Sequence, residues 1–73
     1  MGIDVESQIM GNIWKIETSV GAEVEEEDVL LIIESMKMEI PCESPADATV
    51  TLLHVAEGDQ VSEDDVVATI QTV

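Results

Sequence analysis

Hydrophobic positions in this chain come in short bursts separated by turn residues. "IDVESQI" places Ile3, Val5 and Ile9 at odd positions and predicts a half-buried strand. Further short strands are predicted at about 12–18, 29–34, 38–43, 48–55 and 66–72. One segment reads two ways. In residues 25–40, "EEEDVLLIIESMKMEI", Val29, Ile32, Ile33, Met36 and Ile40 fall near helical spacing, behind acids that suit a helix N-terminus. "VLLII" is equally a buried strand, and local pattern alone does not decide.

An internal repeat decides it. Shifted by 37 residues, "GNIWKIETSVGAEVEEEDVLLIIE" overlies "ATVTLLHVAEGDQVSEDDVVATIQ". Gly21 meets Gly58, Val24 meets Val61, Asp28 meets Asp65, and Ile33 meets Ile70. The second copy of the disputed segment, "DDVVATIQTV", is rich in β-branched residues, which favour strands. A single repetition predicts two similar halves packed with pseudo-two-fold symmetry, since a solenoid needs three or more units. "VGAE" and "EGDQ" carry glycine at matching turn positions, and "ESPAD" supplies Pro45 and Asp47 between the halves. The predicted fold is all-β, a small sandwich or flattened barrel spanning residues 1–73 as one domain.

If 29–34 and 38–43 are both strands, the chain must reverse between them, because strands usually run ~5–6 residues. The midpoint is Met36–Lys37. Tight hairpins favour Asn-Gly or Asp-Gly there, and "SMKM" offers neither. A turn that breaks the local rule is expected where function overrides stability. A Schiff-base lysine needs burial or a neighbouring cation, and Lys37 has Glu34 and Glu39 nearby instead. It is poorly equipped as a catalyst and well placed as an attachment point: a primary amine on a flexible stem at a protruding tip.

Composition narrows the partners. Seventeen acids against two lysines and no arginine give a formal net charge of −15, which repels nucleic acid and anionic membrane. High negative charge with a single aromatic residue also fits disorder, but a chain that is 45% hydrophobic can form a core. Cys42 is the sole cysteine, so no intrachain disulfide forms, and a lone thiol suits a reducing, cytoplasmic setting. Cys42 and the single His54 do not give zinc spacing. Val29–Ile33 is too short to span a bilayer, and "MGIDVES" lacks signal-peptide character.

"ESMKM" resembles the attachment motif of the biotinyl/lipoyl carrier domains, whose usual form is Glu-Ala-Met-Lys-Met; Ser35 replaces the Ala. The resemblance covers nearly the whole chain. "SQIMGNI" is similar to the family's Ser-Pro-Met-Pro-Gly-x-Ile segment at Ser7, Gly11 and Ile13, and "VGAEV" and "EGDQV" match its two glycine turns. The resemblance implies a flattened eight-stranded barrel of two four-stranded antiparallel sheets with quasi-two-fold symmetry. The lysine would sit on a hairpin at one end and the termini at the other. It implies that Lys37 is covalently biotinylated by a biotin protein ligase that reads Glu34, Met36 and Met38. The loaded arm would shuttle carboxyl between biotin carboxylase and carboxyltransferase sites, with no catalysis by the domain itself. A lipoyl carrier, or one accepting both groups, is the alternative; that branch typically has Asp before the lysine and Ala after it. An unmodified barrel serving as an interaction module is the third reading.

Gln8 and Met10 replace two prolines of the family pattern and Ala48 replaces a glycine; other departures run towards acid, with Glu27 and Asp64 at turn positions that are commonly Gly and Glu26 where the family often has Lys. Glu tolerates left-handed geometry poorly, so strain is expected at Glu27. Trp14 is expected to be a partly buried strand residue, His54 a surface or sheet-edge residue, Cys42 structural and Lys15 solvated. The acidity itself admits a solvated surface or adaptation to high salt, where screening relieves self-repulsion. High-salt adaptation predicts a melting temperature that climbs as KCl is added. A protein fully folded and active in low-salt buffer, with no gain on adding salt, would remove that reading.

Overall fold

A computed structural model describes residues 1–72. Eight strands follow one another: β1 (Gly2–Glu6), β2 (Gly11–Ile16), β3 (Glu23–Val24), β4 (Val29–Ser35), β5 (Met38–Glu43), β6 (Ala48–Leu53), β7 (Gln60–Val61) and β8 (Val66–Thr72). They form two four-stranded sheets, ordered β1-β8-β6-β3 and β5-β4-β2-β7, with every pairing antiparallel. We call them sheets A and B. The segment with two readings, 25–40, holds a turn and most of a hairpin and no helix.

Two details differ from the sequence pattern. β3 and β7 have two residues each, too few to leave a periodic signal. The first strand stops at Glu6 rather than Ile9. Ser7 ends it: its backbone N–H donates to Asp65 O at 2.8 Å, and its buried hydroxyl donates to Ile9 O at 2.6 Å.

The repeat is reproduced bond by bond. Gly21 N–H donates to Val50 O at 2.7 Å, and Gly58 N–H donates to Ile13 O at 2.7 Å. Ser44 repeats the Ser7 turn, donating from its hydroxyl to Ala46 O at 2.7 Å. The strands exchange between halves: β1 pairs β8, β3 pairs β6, β5 pairs β4, and β7 pairs β2. Each sheet therefore takes two strands from each half, and neither half can complete a sheet alone. The core is built from matching positions, Ile13 with Val50, Val24 with Val61, Leu30 with Val67, Leu31 with Ala68 and Ile33 with Ile70, all buried. Removing a buried Leu from such a core costs about 2–5 kcal/mol.

Ser7 and Ser44 line one central groove together with Glu27 and Asp64. From that centre β4 runs towards Met36–Lys37, and its counterpart β8 runs towards Thr72, which pairs with Met1. The molecule is 35 Å long and 17 Å across, so the hairpin and the Met1–Thr72 pair occupy opposite ends.

Glu27 and Asp64 both lie in the left-handed region, at φ 76° and 73°. The expected strain at Glu27 is present. It is held by a cross-half bond, since Glu27 N–H donates to Ser44 O at 2.8 Å and Asp64 N–H donates to Ser7 O at 2.8 Å. Gly11 answers a different constraint. A Cβ there would lie 2.4 Å from Glu34 O and 2.8 Å from Ile33 Cγ2, although the matching position, Ala48, carries a methyl group. Replacing Glu27 with Gly is expected to raise unfolding free energy by about 0.5–1 kcal/mol, the left-handed cost less the added chain entropy. Gly11→Ala is expected to lower it by about 1–3 kcal/mol through overpacking. Urea midpoints at constant slope measure both.

Candidate functional site

β4 and β5 form a ladder from Val29–Glu43 to Ser35–Met38. Only Met36 and Lys37 remain to make the connection, so the reversal falls where the sequence predicts it. Both adopt positive φ, 51° and 67°, as a two-residue type I′ hairpin turn requires. Neither is Gly, Asn or Asp, and a left-handed L-residue costs roughly 1–2 kcal/mol. Unlike Glu27 and Asp64, these two gain no hydrogen bond across the halves among the described residues. The adjoining ladder holds them in place.

The tip is solvated and apolar. Met36 is 92% exposed and Met38 64% exposed. Glu34 is exposed on the outer face of sheet B, in one rung with Asn12 and Glu39. Lys37 is exposed and takes part in no ion pair among the described residues, whereas Lys15 Nζ lies 3.5 Å from a Glu17 carboxylate oxygen. An unpaired primary amine at the end of a long, rigid scaffold fits covalent loading by a second protein. The structure thus brings Glu34, Met36, Lys37 and Met38 to one end of the molecule. Met10, 66% exposed, joins them. Gly11 lies against Glu34, which sets Met10 level with the hairpin, a neighbour no local motif signals.

The other expected residues lie elsewhere. Cys42 is half-buried on β5; burial first, and then the Glu43 carboxylate, push its thiol pKa up, which keeps it protonated and unreactive. His54 is at the surface, with Nε2 2.7 Å from Thr69 Oγ1. Trp14 corrects the expectation of partial burial. It is 49% exposed, because it sits in the β2 bulge between Ile13 and Lys15, outside the ladder.

The described residues form a two-sheet sandwich that presents an exposed lysine on a positive-φ hairpin. Residues 2–70 match the family described as "Biotin-requiring enzyme". The chain is 40% identical over 62 residues to the biotin/lipoyl attachment protein of Bacillus subtilis, covering 85% of each. It is 34% identical over 70 residues to the biotinylated protein TB7.3 homolog of Mycobacterium leprae, covering 96% of this chain and 99% of that one. The crystal structure of Kluyveromyces lactis urea carboxylase superposes with a TM-score of 0.91 at 33% identity, over 96% of this chain and 6% of that one. The chain belongs to the biotin/lipoyl attachment domain family.

Met36→Asn places a residue tolerant of the left-handed region at the tip. It is expected to stabilise the protein by about 0.5–1 kcal/mol in urea unfolding. An unchanged midpoint would mean the turn is held without strain.

Proposed function

We propose that this chain is a biotin carboxyl carrier whose Lys37 is the attachment lysine. The observation that carries the reading is the tip itself: a lysine in a two-residue positive-φ turn, flanked by exposed Met36 and Met38, in a chain of this family. A biotin protein ligase would load it. The Lys37 amine attacks the activated carboxyl of biotin; the C–N amide bond forms, the bond to the activating group breaks, and the amine loses a proton. Biotin once bound supplies the ureido nitrogen that carries carboxyl.

The chain's own contribution is mechanical. The ladder fixes the tip, the strained turn projects it, and the methionines adapt to whichever surface receives it. Tethering raises the effective concentration of the arm at successive sites. Those sites would be a biotin carboxylase and a carboxyltransferase.

Lipoylation is the second reading, favoured by the name of the Bacillus subtilis relative. Met36 and Met38, rather than Asp and Ala, support biotin. Intact mass after co-expression with both ligases separates the readings, with one biotinyl unit expected. A lipoyl unit would establish the second reading, and no added mass would leave an unmodified interaction module. Lys37→Arg is expected to abolish the label, and a label that persists would move the site to Lys15 or the N-terminus. Met36→Asn is expected to lower kcat/KM for loading about tenfold, a transition-state loss of ~1.4 kcal/mol, even as it stabilises the fold.

A further inference from the structure

The pseudo-symmetry supplies an internal control for the outer faces of the two sheets. On sheet B, one rung runs Lys15–Ile32–Pro41 across β2, β4 and β5, with Trp14 in the bulge beside it. The matching rung on sheet A runs Leu52–Thr69–Asp4, with Thr51 in the equivalent bulge. Sheet A satisfies itself there. Thr51 Oγ1 donates to Thr69 O at 3.0 Å, and Thr69 Oγ1 donates to Asp4 Oδ1 at 3.1 Å. The single Thr69 proton is thereby committed, so its oxygen accepts from His54 Nε2–H at 2.7 Å.

Sheet B replaces Thr51, Thr69 and Asp4 with Trp14, Ile32 and Pro41. No side-chain hydrogen bond joins this strip among the described residues, and the Trp14 indole N–H has no partner there. The fold does not require apolar groups at these positions, since sheet A shows the polar solution. Pro41 has a local role, because it blunts an edge strand that Asp4 blunts with charge. Ile32 suits a strand. Trp14 has no such role. A chain with one Trp and neither Phe nor Tyr places that aromatic outside, in a bulge, and bulges are used to re-aim side chains.

We infer that the Trp14–Ile32–Pro41 strip is the docking face for the biotin protein ligase. The inference rests on the biotin reading of Lys37. The strip and the lysine share sheet B, and four residues of strand separate Ile32 from Met36, about 13 Å. A standard interface covers about 800 Å² per partner, a disc of radius about 16 Å, so a ligase centred on the tip reaches the strip. The ligase acts on the bare lysine and must close on the hairpin itself. Enzymes that receive the loaded arm meet Lys37 through the added length of the biotin tether, so the ligase makes the nearest approach to the hairpin. Glu34 and Glu39 border the strip on the tip side and Glu43 on the other, while Lys15, on the strip's own rung, is paired with Glu17. The face therefore fits a partner with an apolar centre and basic surroundings, where a buried Trp anchors binding.

Steady-state loading by a purified bacterial biotin protein ligase, with biotin and ATP, tests this. Trp14→Thr and Ile32→Thr install the residues found at the matching positions of sheet A. Each is expected to raise KM for the carrier about tenfold with kcat unchanged, while Leu52→Thr on sheet A stays within about twofold of the parent. A KM for both strip variants within that same margin, or an equal rise for Leu52→Thr, overturns the docking face. Circular dichroism confirms that each variant is folded, and Ile32→Thr carries the test alone if Trp14→Thr does not fold. In a Lys37→Arg chain, biotin-loaded ligase is expected to slow amide exchange in β2 and the β4–β5 hairpin but not in β6. Equal protection of β6, or none in β2, overturns the face independently of turnover. If the parent chain takes up no biotin, the reading of Lys37 fails, and the docking face falls with it.

Discussion

The structure depends on a reciprocal exchange between its two halves. Gly21 of the first half donates to Val50 of the second, and Gly58 of the second donates to Ile13 of the first. Because each half supplies the other's sheet partners, the core forms only when both halves are in register. A chain of 73 residues buries little apolar surface. Interdigitation makes that small core cooperative in a chain whose sole cysteine can form no intrachain disulfide.

The same exchange sorts the strained residues. Glu27 and Asp64 each turn an N–H towards a serine carbonyl of the other half, so their left-handed geometry is offset by a hydrogen bond. Met36 and Lys37 have no such return. The hairpin joins the two halves, and there the sequence departs from good turn chemistry.

The acidity also divides by role. Asp28, Asp59 and Asp65 each accept a backbone N–H three residues earlier, Asp47 accepts from Glu26 N–H, and Glu57 accepts from Ile16 N–H. With Asp4, which accepts from Thr69 Oγ1, six of the seventeen acids therefore stabilise turns or fasten strands. Charge-assisted bonds of this kind are stronger than neutral ones. The remaining acids project into solvent, and some border the apolar strip on sheet B.

Much of this was legible in the order of the residues. The 37-residue repeat and the β-branched second copy determined an all-β fold with two-fold character. Unsuitable turn residues between two strands marked Met36–Lys37 as the reversal, and "ESMKM" marked the family. These signals are local or periodic, so one sequence carries them. Strands β3 and β7, the early end of β1 and the exposure of Trp14 were decided only by tertiary structure. A two-residue strand exists only through its partner, and Ser7 ends β1 by bonding to Asp65, far along the chain. A bulge is a mismatch between two strands, visible in neither alone. The contrast between Trp14 and Thr51 was present in the repeat, but its meaning required knowing that both side chains face water on opposite sheets.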